Sequence, residues 1–360
     1  MFTIRALRVV VPVAVILASA SCAVAAVSIP RTPATRVARP RSVTLQWVGD
    51  IALSSGAGLP PGGLRRALAP VRGALTRGDL TFGNLEGTLS VGGPSKCGGG
   101  SGGNCFAFQA PPWIAGQLRG LGFGLVNQAN NHSMDFGPGG REQTLRSLRR
   151  AGVAQTGLPD EITTLTVAGT RVAFLGFAPY PYDGNLLDIA KARALISRAR
   201  KQAPLVVVII HAGAEGSGRL HTPFGTESFL GEDRGNSRAF AHAAIDAGAS
   251  LVVGSGPHVI RGVERYRNRM IAYSLGNFVG YRTLAGGGAL SESAILRVTL
   301  GRGGKVLSAR WIPVALDEGL PRLDRSGAST RLVVALSRSD FPGDHFAIGP
   351  SGRFHLERTR

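Results

Sequence analysis

Residues 127–137, NQANNHSMDFG, set Asn130, Asn131, His132 and Asp135 within one short stretch. Carboxamide, imidazole and carboxylate groups accept or donate hydrogen bonds, and together they can ligate a divalent ion. Single residues of the same kind stand elsewhere: Asp50 in VGD, Glu86 in NLEG, His211 in IIHAG and His258 in GPH. Each alone has an ordinary explanation. Asp50 suits a helix N-cap, Glu86 a solvated turn, Asn131 a left-handed turn position, and His211 and His258 the edge of a core. As a set they suit a hard to borderline ion, Mn, Zn, Fe or Mg, in one or two copies.

The elements around these residues explain why they form a set. VTLQWVGD (43–50) is apolar and β-branched and predicts a strand that delivers Asp50 at its end. DLTFGNLEG (79–87) predicts a second strand, carrying Asn84 and Glu86, and FGLVNQANNH (123–132) a third. RVAFLGF (171–177), PLVVVII (204–210) and SLVV (250–253) read as buried strands, the second ending at His211 and the third opening onto GSGPH. Late strands are predicted over 269–278, 292–300 and 305–316. Helices are predicted over 64–75, 112–121, 141–152, 187–201 and 237–249. Strand–helix alternation with a strand-rich end implies an α/β fold with a mixed or second sheet. Every candidate ligand then falls at the C-terminal end of a strand, where open α/β sheets build their sites.

The chain has 360 residues and is 44% apolar, enough for a sizeable core. Its formal net charge is +19, and all but four of its basic residues are arginine. That balance fits either a polyanionic partner or the composition of a GC-rich genome. The arginines are scattered and form no long run, so no specific nucleic-acid partner is expected. Arg5 and Arg8 precede an apolar run from Val9 to Ala20, followed by Ala23-Val24-Ala25. This is the layout of a secretory signal peptide over residues 1–26; an uncleaved anchor and lipidation at Cys22 are the alternatives. Residues 27–42, rich in proline and arginine, read as a linker. Export to an oxidising, extracytoplasmic compartment makes a disulfide the simplest state of Cys97 and Cys105.

The segments VGD, GNLEG, NQANNHSMDFG, IIHAG, DAGASLVVGSGPHV and IAYSLGNFVG, in this order, resemble the CapA family of bacterial capsule and poly-γ-glutamate synthesis proteins. The resemblance spans residues 43–316, leaving 317–360 as a C-terminal extension packed on the domain or trailing from it. It implies a metallophosphatase-like α/β fold, a four-layer α/β/β/α sandwich with two mixed sheets. It also implies metal ligation by Asp50, Glu86, Asn131, His211 and His258. His132 would act on substrate, with Asn130 and Asp135 orienting it, and Asn277 of the YSLGNF segment would contact substrate. Arg234, in the polar stretch 212–236, is placed as a further substrate contact from a wall or lid. Two positions depart from the family pattern: Ala52 and Ser255 stand where histidines are usual.

Three functions are compatible with this pattern. The first is a metal-dependent hydrolase in the synthesis, export or processing of an anionic surface polymer, working with a membrane-bound capsule synthesis complex. The second is a non-enzymatic polyanion-binding subunit of such a machine, and the third a secreted phosphoesterase acting on small phosphate esters. Mass spectrometry of the mature protein is predicted to find a new N-terminus between about residues 21 and 27. An intact Met1 on a membrane-embedded form would count against cleavage.

Overall fold

The computed structural model describes Phe2 and residues 42–54, 58–98, 105–284 and 286–356. The expected signal peptide, apart from Phe2, and the expected linker up to residue 41 lie outside the described residues. In chain order the main elements are β1 (Val43–Ile51), α1 (Gly63–Ala67), α2 (Arg72–Leu75), β2 (Leu80–Leu85), α3 (Ile114–Gly120), β3 (Phe123–Asn127) and α4 (Gly137–Ala151). There follow β4 (Ala154–Thr156), β5 (Thr163–Val167), β6 (Thr170–Phe177), α5 (Ile189–Gln202), β7 (Leu205–His211), α6 (Ser237–Asp246) and β8 (Leu251–Ser255). The last are β9 (Val263–Tyr266), β10 (Arg269–Ala272), β11 (Asn277–Val279), β12 (Glu292–Leu300), β13 (Val306–Asp317), β14 (Leu320–Leu323) and α7 (Ala328–Asp340).

Two mixed sheets result. The first runs β14-β13-β12-β1-β2-β3-β4, with β11 also beside β1; the second runs β9-β10-β8-β7-β6-β5. The run of apolar residues in β7 shows how they stack. Leu205, Val207 and Ile209 join a core shared with Trp47, Phe82 and Leu125 of the first sheet. Val206, Val208 and Ile210 instead pack with Leu195 and Ile196 of α5 and Phe240 of α6. A strand covered on both faces needs apolar residues at every position, not at alternate ones. The outer face of the first sheet, through Val48, Leu85 and Val126, packs on Leu64, Ile114, Leu118 and Leu148 of α1, α3 and α4. The result is the four-layer α/β/β/α sandwich that the resemblance implies. Trp47 joins the layers, because its indole nitrogen donates across the core to the Gly254 carbonyl at 3.1 Å. β14 extends the first sheet beyond β13, and α7 places Val333 and Leu336 in the core between the sheets.

Two expected elements are broken. Pro70, with no N–H to donate, interrupts the helix expected over 64–75, leaving α1, a 3₁₀ turn at Ala69–Val71 and α2. The strand expected over 269–278 is two strands in different sheets: β10 pairs with β8, and β11 pairs with β1. The chain crosses between sheets at Gly276, whose φ of +70° is open to glycine and strained for other residues.

That crossing presses two backbones together. A Cβ on Gly49 would lie 1.8 Å from the Gly276 carbonyl oxygen, which accepts the Asp50 N–H at 3.1 Å. Both clashing groups are backbone, so neither can rotate away. Gly49→Ala is predicted to destabilise the protein by at least about 2 kcal/mol, through overpacking. Denaturant unfolding tests this, and a midpoint equal to wild type would refute the close approach.

Candidate functional site

The first sheet aligns Asn277, Asp50, Asn84 and Asn127 as Cα partners across four neighbouring strands. The second aligns His211 with Ser255. Because the two sheets' parallel strands end at one pole, these rows meet. Asp50, Glu86 and His211 are fully buried and offer ligand atoms lying within 4.8 Å of one another. His258 joins them, with Nδ1 3.3 Å from Asp50 and Nε2 3.7 Å from Glu86. Its φ is +61°, a conformation that histidine rarely adopts, so the surrounding structure must hold it there.

Asn84 is the centre of the polar wiring. Its Nδ2 donates to Asp50 at 2.8 Å and lies 3.1 Å from His211 Nδ1. Its Oδ1 accepts from Asn127 at 2.9 Å and Asn130 at 3.1 Å. Ser255 Oγ lies 3.2 Å from His211 Nδ1, so it braces the ring. What remains unpaired is informative. Both Glu86 oxygens, His211 Nε2 and Asn131 Oδ1 are buried and have no hydrogen-bond partner among the described residues. Orphaned buried lone pairs cost about 1–3 kcal/mol each, and these belong to carboxylate, imidazole and carboxamide groups. That donor set fits a divalent cation, with Asp50, Glu86, His211, His258 and Asn131 the residues that would hold it.

The charges point the same way. Burial raises the Glu86 carboxyl well above its ordinary range, and the Asp50 charge adds to this. Burial would also raise Asp50, but hydrogen bonds from His211 and His258 outweigh it and hold that carboxyl well below. Burial would discharge His258; Glu86, Asp50 and Glu215 instead raise it well above the usual imidazole value. A cluster that draws protons onto Glu86 and His258 is short of positive charge.

His132 sits at the rim, its Nε2 4.0 Å from Glu86. Its Nδ1 is 2.8 Å from Asp135, its N–H donates to Asn130 Oδ1 at 3.0 Å, and its ring stacks on Phe108 at 4.2 Å. Burial lowers its pKa, which favours the neutral ring. With Nδ1–H given to Asp135, Nε2 is free to take or release a proton at the cluster. Lys96 Nζ pairs with the other Asp135 oxygen at 2.7 Å. Lys96 immediately precedes Cys97, which the disulfide ties to Cys105.

A cleft of about 470 Å³ opens beside His132, lined by Lys96, Phe106, Tyr180, Tyr182, Glu215 and Arg234 among others. Residues Glu227–Phe229 and Glu232–Gly235 pair as a hairpin that forms one wall. Arg234 was expected to be a substrate contact. It is almost wholly buried, and its Nη1 is held by Glu215 at 2.9 Å and Tyr180 at 3.1 Å. Only its Nη2 is left unpartnered. Asn277, also expected to meet substrate, is placed to orient His258 instead. Its Oδ1 is 2.9 Å from His258 Nδ1 and its Nδ2 donates to Leu290. Sequence reasoning missed Glu215, whose Oε2 lies 3.5 Å from His258 and whose Oε1 accepts from Asn131 at 3.4 Å. Its carboxyl is depressed to about 2: burial opposes this, and His258 and Arg234 overcome it. Its place four residues after His211 was the only sequence signal. Asn84 arrives with Glu86 at the end of the second strand, and the structure makes its amide the hub of the network.

The family model described as "Bacterial capsule synthesis protein PGA_cap" matches residues 44–282. The PGA biosynthesis protein CapA of Bacillus subtilis is 32% identical over 179 residues, covering 45% of this chain and 44% of its own. The capsule biosynthesis protein CapA of Bacillus anthracis is 29% identical over 225 residues, covering 57% and 51%. This chain thus spans about half the length of the curated relatives it matches. Among solved structures, a putative 5'-nucleotidase from Staphylococcus aureus aligns at 14% identity and a TM-score of 0.46, over 82% of this chain and 58% of that one.

Asn84→Ala is predicted to remove one buried hydrogen bond each from Asp50, Asn127 and Asn130 and to cost at least about 2 kcal/mol. A variant whose unfolding free energy stays within about 0.5 kcal/mol of wild type would show that the amide is not the centre of the network.

Proposed function

We infer the function from one premise: this chain belongs to the PGA_cap family of bacterial capsule synthesis proteins. On that premise it is an exported, metal-dependent hydrolase serving the synthesis, export or processing of an anionic cell-surface polymer, with poly-γ-glutamate the first candidate. The observation that carries this proposal is the convergence of unpartnered Glu86 and His211 atoms beside Asp50 and His258. A divalent ion bound there would act as a Lewis acid on a phosphoryl or acyl oxygen. His132, held by Asp135 and Asn130, moves the proton at Nε2 toward the leaving group. Lys96 supplies positive charge on the cleft side for an anionic substrate, with the buried Arg234 held behind Glu215. The Cys97–Cys105 bridge and the N-terminal export pattern support an extracytoplasmic location.

Ala52 and Ser255, with no imidazole to offer, favour the alternative of a non-enzymatic polyanion-binding subunit. Elemental analysis combined with hydrolysis of poly-γ-glutamate and a generic phosphodiester separates the two. Wild type is expected to retain at least one divalent ion per chain, and Glu86→Gln to lose it while staying folded. His132→Ala is expected to keep the ion and lose activity by about 10²–10⁴-fold. Metal-independent hydrolysis, undiminished in Glu86→Gln, would sink the hydrolase assignment. Metal retention with no hydrolysis would favour the binding subunit.

A further inference from the structure

The opposite pole of the sandwich, where the parallel strands begin, has a different chemistry from the site. Exposed cations stand at nearly every corner there. The β5–β6 turn leads into Arg171, and α5 ends at Arg200 and Lys201 just before β7. The β9–β10 turn carries Arg267, and the β12–β13 turn carries Arg302 and Lys305. On the first sheet's helical side Arg77 and Arg119 precede β2 and β3. The turns of the two sheets adjoin, since a Cβ on Gly304 would lie 2.4 Å from Ser250 Oγ.

Few carboxylates answer this charge. At these corners the described acids are Asp79, Asp246 and, opposite Arg265, the exposed Asp344. Asp79 accepts from the Thr44 N–H at 2.8 Å, and Asp246 pairs with Arg267 at 3.1 Å. Arg171, Arg200, Lys201, Arg302 and Lys305 have no ion-pair partner among the described residues. Between the β9–β10 and β12–β13 turns lies a cavity of about 500 Å³ rimmed by Arg267, Arg269 and Lys305. Leu307, half exposed beside Lys305, adds an apolar group.

We propose that this pole docks on the anionic headgroups of a phospholipid bilayer. Two features favour a bilayer over a polymer strand. The cations are spread over the starts of strands in both sheets, β6, β7 and β10 in one and β2, β3 and β13 in the other, a face roughly 15–20 Å along each sheet at about 4.8 Å per strand, and are not confined to the one cavity between the β9–β10 and β12–β13 turns. And the candidate site lies a strand's length away, roughly 25 Å for seven to nine residues, so docking leaves the cleft open to the outside. A basic face with a flanking apolar group is the chemistry of an interfacial membrane surface. The inference stands apart from the metal-site proposal, because no site residue enters it.

The test measures the full chain on vesicles of phosphatidylcholine with and without about 30% phosphatidylglycerol, a level that gives a clear surface potential. The anionic-to-neutral binding ratio is read, so capture by the N-terminal apolar run cancels. Arg200→Glu, Lys201→Glu and Lys305→Glu together are expected to lower that ratio on the order of 100-fold, at several-fold per basic residue near the surface. A matched reversal of Arg282, Arg325 and Arg331 at the other end should leave it near wild type. Wild-type binding to the anionic vesicles should also weaken strongly as salt rises, which reads the charge dependence with no substitution. Equal losses in both variants, no loss in the first, or salt-insensitive binding would overturn the proposal. So would binding of soluble poly-γ-glutamate through this pole by a protein that ignores both vesicle types.

Discussion

Burying Asp50 and Glu86 side by side is the constraint on which the rest of the structure depends. Two carboxylates with no solvent access repel each other and lose their hydration, at a cost of several kcal/mol per uncompensated charge. The fold answers with neutral donors and with imidazoles rather than with arginine. Asn84 and the Gly256 N–H donate to Asp50, and His211 and His258 approach both carboxylates. This compensation is deliberately incomplete at one place. Asp50 is satisfied, whereas the Glu86 oxygens have no donor, and the neighbouring His211 Nε2 and Asn131 Oδ1 are equally bare. A structural ion-pair network would close such gaps; a ligand site leaves them open.

The sandwich supplies the positional accuracy. Both sheets end their parallel strands at one level, so residues far apart in sequence arrive together on rigid backbone. Glycines set the distances. Gly49 and Gly254 let neighbouring carbonyls come within 1.8 and 2.1 Å of where a Cβ would be, which draws β11 and β10 against the strands bearing Asp50 and Ser255. The rim is built differently, from loops. Asp135 receives the Phe108 N–H at 2.6 Å and pairs with Lys96, so the disulfide-closed segment and the His132 turn brace each other. The two ends of the strands thus differ: buried carboxylates and imidazoles gather at one pole, and exposed cations at the other.

Much of this was legible in the sequence. β7 is apolar at every position because it is covered on both faces, so a buried strand ending at His211 could be read directly. The same local logic placed Asp50, Glu86 and the Asn130–Asp135 turn at strand ends, and the expectation of export made a Cys97–Cys105 bridge the simplest state of that pair, the state the structure has. These features depend on near neighbours in the chain, and periodicity and turn chemistry report on near neighbours. The tertiary structure alone decided that residues 269–278 divide between two sheets, because both halves carry the same apolar signal and only long-range pairing separates them. It alone turned Asn277 inward onto His258, buried Arg234 behind Glu215, and brought Glu215 to the cluster from a loop with no periodic signal. Such roles are set by which groups meet across the sandwich, and side-chain type does not encode the direction in which a residue will find its partner.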